Sequence, residues 1–147
     1  MHTLKFLTAG LLLIFSTTVT GQKLRFVSPA QDTVVKPGQK LTLKLQFQSP
    51  SSSDTQIAWE LGLNGFANDP TSLGRPLVAS LGAGAAGATY KSDEQTYYWD
   101  VTLPTADKFL DGFDKTYRLT FSQYFLDKNA FSPMLNTISV PVKLQKA

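Results

Sequence analysis

The chain has 147 residues, a formal charge of +3, no cysteine and a single histidine, His2. So mild a charge does not imply nucleic acid or an anionic membrane as the main partner. The missing cysteine excludes disulfide bracing, Cys–His catalysis and thiolate metal sites, so burial alone has to hold the fold together.

At the N-terminus, "MHTLK" carries a cation at Lys5, "FLTAGLLLIF" is an uncharged run, and "STTVTGQ" follows with small residues. That is the order of a secretory leader. Cleavage after Gly21 would place Val19 and Gly21 at the two recognition positions and leave Gln22 as the new terminus. The apolar run is shorter than the ~18 residues of a membrane span, so no membrane anchor is expected. Removing residues 1–21 leaves 22–147, the size of one domain, and takes away His2. Triads that need histidine, and zinc sites built on it, leave with that residue. The C-terminal "SVPVKLQKA" is short and charged and carries no lipid-anchor signal. A secreted, soluble, extracellular monomer is expected.

Alternation dominates the rest. "KLRFV" sets Leu24 and Phe26 on one face, and "LTLKLQFQ" points Leu41, Leu43, Leu45 and Phe47 inward. "TQIAWELGL" repeats the pattern with Ile57, Trp59, Leu61 and Leu63. A short strand is expected at Leu77–Leu81. "TYYWDVT" places Tyr97, Trp99 and Val101 in phase, and "TYRLTFSQYF" places Tyr117, Leu119, Phe121 and Phe125, with Gln123 interrupting. "TISVPVKL" closes with Ile138, Val140, Val142 and Leu144; Pro141 falls in its outward phase, which suits a sheet edge. Turn-forming clusters separate these runs, and the only helical candidate is about one turn at Ala106–Leu110. The pattern predicts an all-β, immunoglobulin-like sandwich of about seven antiparallel strands in a single domain. Trp59 and Trp99 are expected in the core between its sheets.

"SLGAGAAGATY" spells G-x-G-x-x-G at Gly82, Gly84 and Gly87. A dinucleotide site would need a helix after it, whose N-terminus holds the pyrophosphate. Here "TYYWDV" follows, a strand, so the segment is expected to be a flexible connection and no cofactor is expected. Asp107, Asp111 and Asp114 gather in "ADKFLDGFD", and Asp93 and Glu94 are adjacent, but the spacing is not that of a calcium loop. A solvated corner with turn-forming aspartates is expected, and no metal site. Glu60 and Asp100 are the only carboxylates within strands alongside aromatics, and both fall in the outward phase, so no catalytic residue is assigned. Tyr98 and Tyr124 are out of phase with their buried neighbours. They are the candidate partner contacts, either as a stacking platform for a sugar or as a hot spot for a protein.

Two resemblances add to this reading. "VSPAQDTVVKPGQKLTLKLQF" looks like the opening strands of the immunoglobulin-like N-terminal domain of fungal wall-synthesis and Ser/Thr-rich surface proteins. Over most of the chain the order runs "KPG", "IAWELGL", "SLGRPL", a glycine-rich gap, "YYWDVTLP", "YRLTFSQYFLDKNAFSPML" and "VPV". That order is similar to the necrosis-inducing secreted protein family of fungal effectors. The resemblance implies a protein delivered to a host plant that suppresses immune signalling by binding a host protein, a receptor-like kinase, with entry into host cells. It carries no catalytic motif across. The first resemblance implies the alternative, a module bound to wall polysaccharide.

Overall fold

The computed structural model describes residues 23–48, 55–65, 68–80, 82–127 and 131–146. The leader expected over 1–21 and the "SPSSSD" turn lie outside these residues.

Among the described residues nine strands form two facing sheets: β1 (Leu24–Ser28), β2 (Thr33–Val35), β3 (Lys40–Phe47), β4 (Thr55–Asn64), β5 (Arg75–Ser80), β6 (Thr89–Lys91), β7 (Thr96–Thr102), β8 (Lys115–Asp127) and β9 (Ser132–Leu144). A 3₁₀ turn, Ala106–Lys108, falls inside the one expected helical stretch. One sheet runs β1-β3-β7-β6 and the other β2-β9-β8-β4-β5. In immunoglobulin lettering these are A-B-E-D and A′-G-F-C-C′, so the chain is an immunoglobulin-like sandwich. The expected seven strands are nine, because β2 and β6 have three residues each, too few for a period to register. Not every pairing is antiparallel: β2 runs parallel to β9, with Thr33 opposite Val142.

The alternation expected from the sequence explains most of the core. Leu43, Leu45, Trp59, Leu61, Leu119, Phe121 and Leu144 are fully buried. Trp59 comes from the five-stranded sheet and Trp99 from the four-stranded one, and their ring centroids meet 5.7 Å apart across the interior. Burying an indole removes roughly 200 Å² from water, on the order of 5 kcal/mol before conformational entropy is counted. Phe121 stands edge-on to Trp59 at 5.1 Å, and Tyr97 does so at 4.9 Å. Two residues after Tyr117, the position where antibody domains place the second cysteine of their inter-sheet bridge holds Leu119. Tyr117 itself makes the corner bond of that fold, its hydroxyl donating to the Gly112 carbonyl at 2.8 Å.

The phase breaks in one place. The β4–β8 register shifts between Gln56 and Ala58, so Ile57 is a bulge residue and stands 37% exposed rather than inward. Gln56 turns in instead. Its Oε1 accepts the Trp59 indole N–H at 3.2 Å and the Gln123 amide at 2.8 Å, which accounts for the polar interruption in β8. Gln123 is fully buried.

Pro141 behaves as an edge residue although β9 is second in its sheet. Its carbonyl accepts Asp32 N–H at 2.8 Å on the side away from β8, so its missing N–H also faces that outer side. The glycine-rich connection is not slack. Ala86 N–H donates to Gly82 C=O and Ala88 N–H to Ala83 C=O, Gly87 takes the positive φ of 79° that closes the turn, and Ala83, Ala86 and Ala88 pack on the core. The Trp99 indole N–H then donates to Ala86 C=O at 2.8 Å. No helix follows it; the chain enters β6.

Candidate functional site

Alternation sorts each sheet into an inner and an outer face, so the two candidate tyrosines depend on which sheet carries them. Tyr98 lies on β7 of the four-stranded sheet and Tyr124 on β8 of the five-stranded one, both outward. They therefore occupy opposite faces of the sandwich and cannot form one platform. That corrects the joint reading of the pair.

The surroundings of Tyr98 are ionic. Lys44, directly across on β3, holds Nζ 5.0 Å from the ring centroid, and Lys91, from β6, holds Nζ at 4.3 Å. The Tyr98 hydroxyl donates to the Glu94 carboxylate, which Lys91 also reaches at 3.4 Å. Glu94 sits in the loop joining β6 to β7. Its backbone carbonyl is fixed by Thr96 Oγ1 at 2.8 Å and Gln46 Nε2 at 3.2 Å. The Tyr98 hydrogen bond holds the Glu94 carboxyl below its usual range, with Lys91 and Lys44 adding to the effect. Glu94 in turn raises the Lys91 ammonium above its ordinary value. With two ammonium groups over its ring, Tyr98 is no open stacking surface for a neutral sugar.

Farther along the same face, Asp100 is paired with Lys40 at 2.8 Å and accepts Thr42 Oγ1 at 2.7 Å. Those contacts, Lys40 first, lower its carboxyl. Arg25 on β1 donates to Gln46 Oε1 at 2.6 Å. The face is thus a lattice of cations, hydroxyls and amides with two carboxylates bound into it.

Tyr124 is surrounded differently. It is 39% exposed and stands opposite Leu135 of β9, which is 67% exposed. Ala58 of β4 is its other cross-strand neighbour. With Glu60 and Ser122 these three line a shallow depression of about 250 Å³. Ile57, displaced by the bulge, adds exposed apolar surface on the same strand. Leu135 and Ile57 escape the sequence reading, which places Ile57 inward and begins its last strand at Thr137, after Leu135.

The carboxylates considered for chemistry do not converge. Glu60 faces out from the five-stranded sheet and Asp100 from the four-stranded one, so the thickness of the sandwich separates them. Asp107 is bound to Thr105 Oγ1 and Lys108, while Asp111 packs against Gly65. Among the described residues no three His, Cys, Asp or Glu side chains gather as metal ligands. A second depression, about 300 Å³, opens at the end of the sandwich between Leu63, Arg75, Phe109 and Tyr117. Its arginine is committed to the Lys108 carbonyl. Among the described residues no helix is long and apolar enough to cross a membrane.

No family model and no curated protein matches this chain. Among solved structures it is similar to the fibronectin(III)-like modules of Clostridium thermocellum CbhA, at 10% identity and a TM-score of 0.44, over 85% of this chain and 99% of that one.

Proposed function

We propose that the chain is a secreted, non-catalytic binding module that meets a host protein through the outer face of its five-stranded sheet, centred on Tyr124. The observation that carries the reading is the pairing of Tyr124 with Leu135, two exposed, cross-strand apolar side chains beside Ala58 and a shallow depression. Aromatic and aliphatic side chains on a rigid sheet lose little entropy on binding and supply the buried centre of an interface. The small neighbours Ala58 and Ser122 leave room for a partner side chain to enter. Together with the resemblance to fungal effectors, this favours a receptor-associated kinase of a host plant as the partner and suppression of immune signalling as the outcome.

The test is photocrosslinking from defined positions. A photoreactive amino acid at Leu135, and in a separate protein at Lys44 on the opposite face, is exposed to plant membranes during an elicited response. Capture of a receptor-associated kinase from position 135 alone, with signalling restored by Tyr124→Ala and Leu135→Asp, is the expected result. Suppression of signalling that survives both substitutions would sink the proposal.

A further inference from the structure

The four-stranded sheet carries a second surface of different chemistry. We propose that its outer face is a receptor for the carboxylates of an acidic polysaccharide, a polyuronate, in which Lys44, Lys91 and the Tyr98 hydroxyl bind the carboxylate and Glu94 is the tethered carboxylate that the ligand displaces. This goes beyond the protein partner proposed above and does not rest on it.

The cluster already binds a carboxylate. Glu94 receives the Tyr98 hydroxyl and the Lys91 ammonium, and Lys44 stands over the same ring. The backbone of Glu94 is pinned by Thr96 and Gln46, while both ammonium groups also stand over the Tyr98 ring, a contact that does not depend on Glu94. A fixed, charge-assisted donor set of this kind is preorganised for any carboxylate of the right reach. Because Glu94 is itself exposed, a ligand exchanges one solvated carboxylate for another without burying a charge.

Charge complementarity and the neighbouring side chains select the occupant. Arg25, Lys40, Lys44 and Lys91 outnumber Asp100, Glu94 and the neighbouring Asp93 on this face. The positions between them carry hydroxyls and an amide, Thr42, Gln46 and Thr89, on strands about 4.8 Å apart. A polymer that alternates carboxylates with hydroxyls meets donors and acceptors at each step across such a lattice. An acidic peptide would seek an apolar anchor site beside the cations, and a lipid surface an apolar side to insert. Along β3 and β7 the outward residues are lysine, threonine, glutamine, aspartate and one tyrosine.

Calorimetric titration of the full chain with polygalacturonate at low ionic strength tests the proposal, with dextran, poly-L-glutamate and phosphatidylglycerol vesicles as comparison ligands. Polygalacturonate should bind and dextran should not. Lys44→Ala and Lys91→Ala should each weaken binding roughly three- to fivefold. Glu94→Gln should tighten it roughly threefold by removing the internal competitor. A gain of affinity cannot come from a damaged fold, and Tyr124→Ala on the opposite face should leave binding unchanged. Equal or weaker binding by Glu94→Gln would overturn the displacement mechanism. Equal or tighter binding of polyglutamate or of the vesicles would replace the polysaccharide with an acidic peptide or a membrane.

Discussion

Trp99→Phe separates a pinned glycine loop from a slack one. Trp99 is 1% exposed, and its indole N–H reaches Ala86 C=O at 2.8 Å, which ties the "GAGAAGA" turn to the four-stranded sheet. Phenylalanine keeps an aromatic ring but loses the donor, a hydrogen bond worth about 1 kcal/mol net. It also leaves unfilled volume against Trp59 and Phe121, which adds about 1–2 kcal/mol because a close-packed core relaxes only in part. The expected loss is about 2–3 kcal/mol, a fall in midpoint temperature of roughly 10 °C for a domain of this size. Urea unfolding measures the global change, and amide exchange read by NMR localises it. In the parent protein the Ala86 and Ala88 amides, bonded to Gly82 and Ala83, should be protected; in the variant they should lose more protection than the β3–β7 ladder does. Parent amides at 86 and 88 that exchange as fast as an open chain would refute the pinned loop. So would a variant whose protection falls evenly throughout.

Four further outcomes follow from the same packing. A Cβ on Gly62 would stand 2.0 Å from the Leu73 carbonyl oxygen, so Gly62→Ala should cost at least about 2 kcal/mol in urea unfolding, whereas Gly84→Ala meets open space and should be neutral or slightly stabilising. Tyr117→Phe removes the corner bond to Gly112 and should lower stability by about 1 kcal/mol with an unchanged urea slope. The Asp100 carboxyl is lowered by Lys40 and Thr42, so whatever stability it adds is present above the ordinary value of 3.8 and is lost as pH falls through its folded midpoint. Carboxyl NMR should place that midpoint below 3.8 and move it upward in Lys40→Ala. Burial raises the Tyr97 hydroxyl above its ordinary 10.0, with Tyr90 adding to the effect, so a spectrophotometric alkaline titration should show it ionising after an exposed tyrosine.

How much could be read from the chain differs from element to element, for physical reasons. β3 and β7 are half-buried strands in the middle of their sheet, where one face meets the core and the other meets water, so period two is written into them residue by residue. β2 and β6 hold three residues each and show no period at all. Ile57 misleads because a bulge inserts one residue without leaving a mark in hydrophobicity; the glutamine beside it is the clue, since the Gln123 amide donates to Gln56 Oε1 inside. Alternation correctly put Tyr98 and Tyr124 outside. It could not say which sheet carried either, because strand order depends on contacts far apart in the chain, and so their opposite placement was hidden. The ionic cluster at Tyr98 was partly in view. Lys44 was visibly outward and Glu94 was noticed beside Asp93, but only the β6–β7 hairpin brings Lys91 and Glu94 back over the ring. Of the aspartates in "ADKFLDGFD", Asp107 engages Thr105 and Lys108 beside it, while Asp111 lies against Gly65, a neighbour that only the fold supplies.

The two outer faces of this sandwich are chemically unlike, and the core between them explains how both persist. Trp59, Trp99, Phe121 and Tyr97 interlock across the sheets, so each sheet is held by the other and neither outer face has to contribute burial. Side chains there are free to be selected for contact: small and apolar around Tyr124, cationic and hydroxylated around Tyr98. Because the faces look in opposite directions, the proposed protein partner and the proposed acidic polymer would not compete for space. A module bound to a polyuronate through one sheet would still present Tyr124 and Leu135 on the other. Retention on the polymer would then raise its local concentration near the protein partner without any new contact between them. That arrangement predicts two independent faces coupled only through retention: substitutions at Lys44 and Lys91 should leave capture of the proposed kinase partner from solution intact, and should reduce it only where the polymer is present.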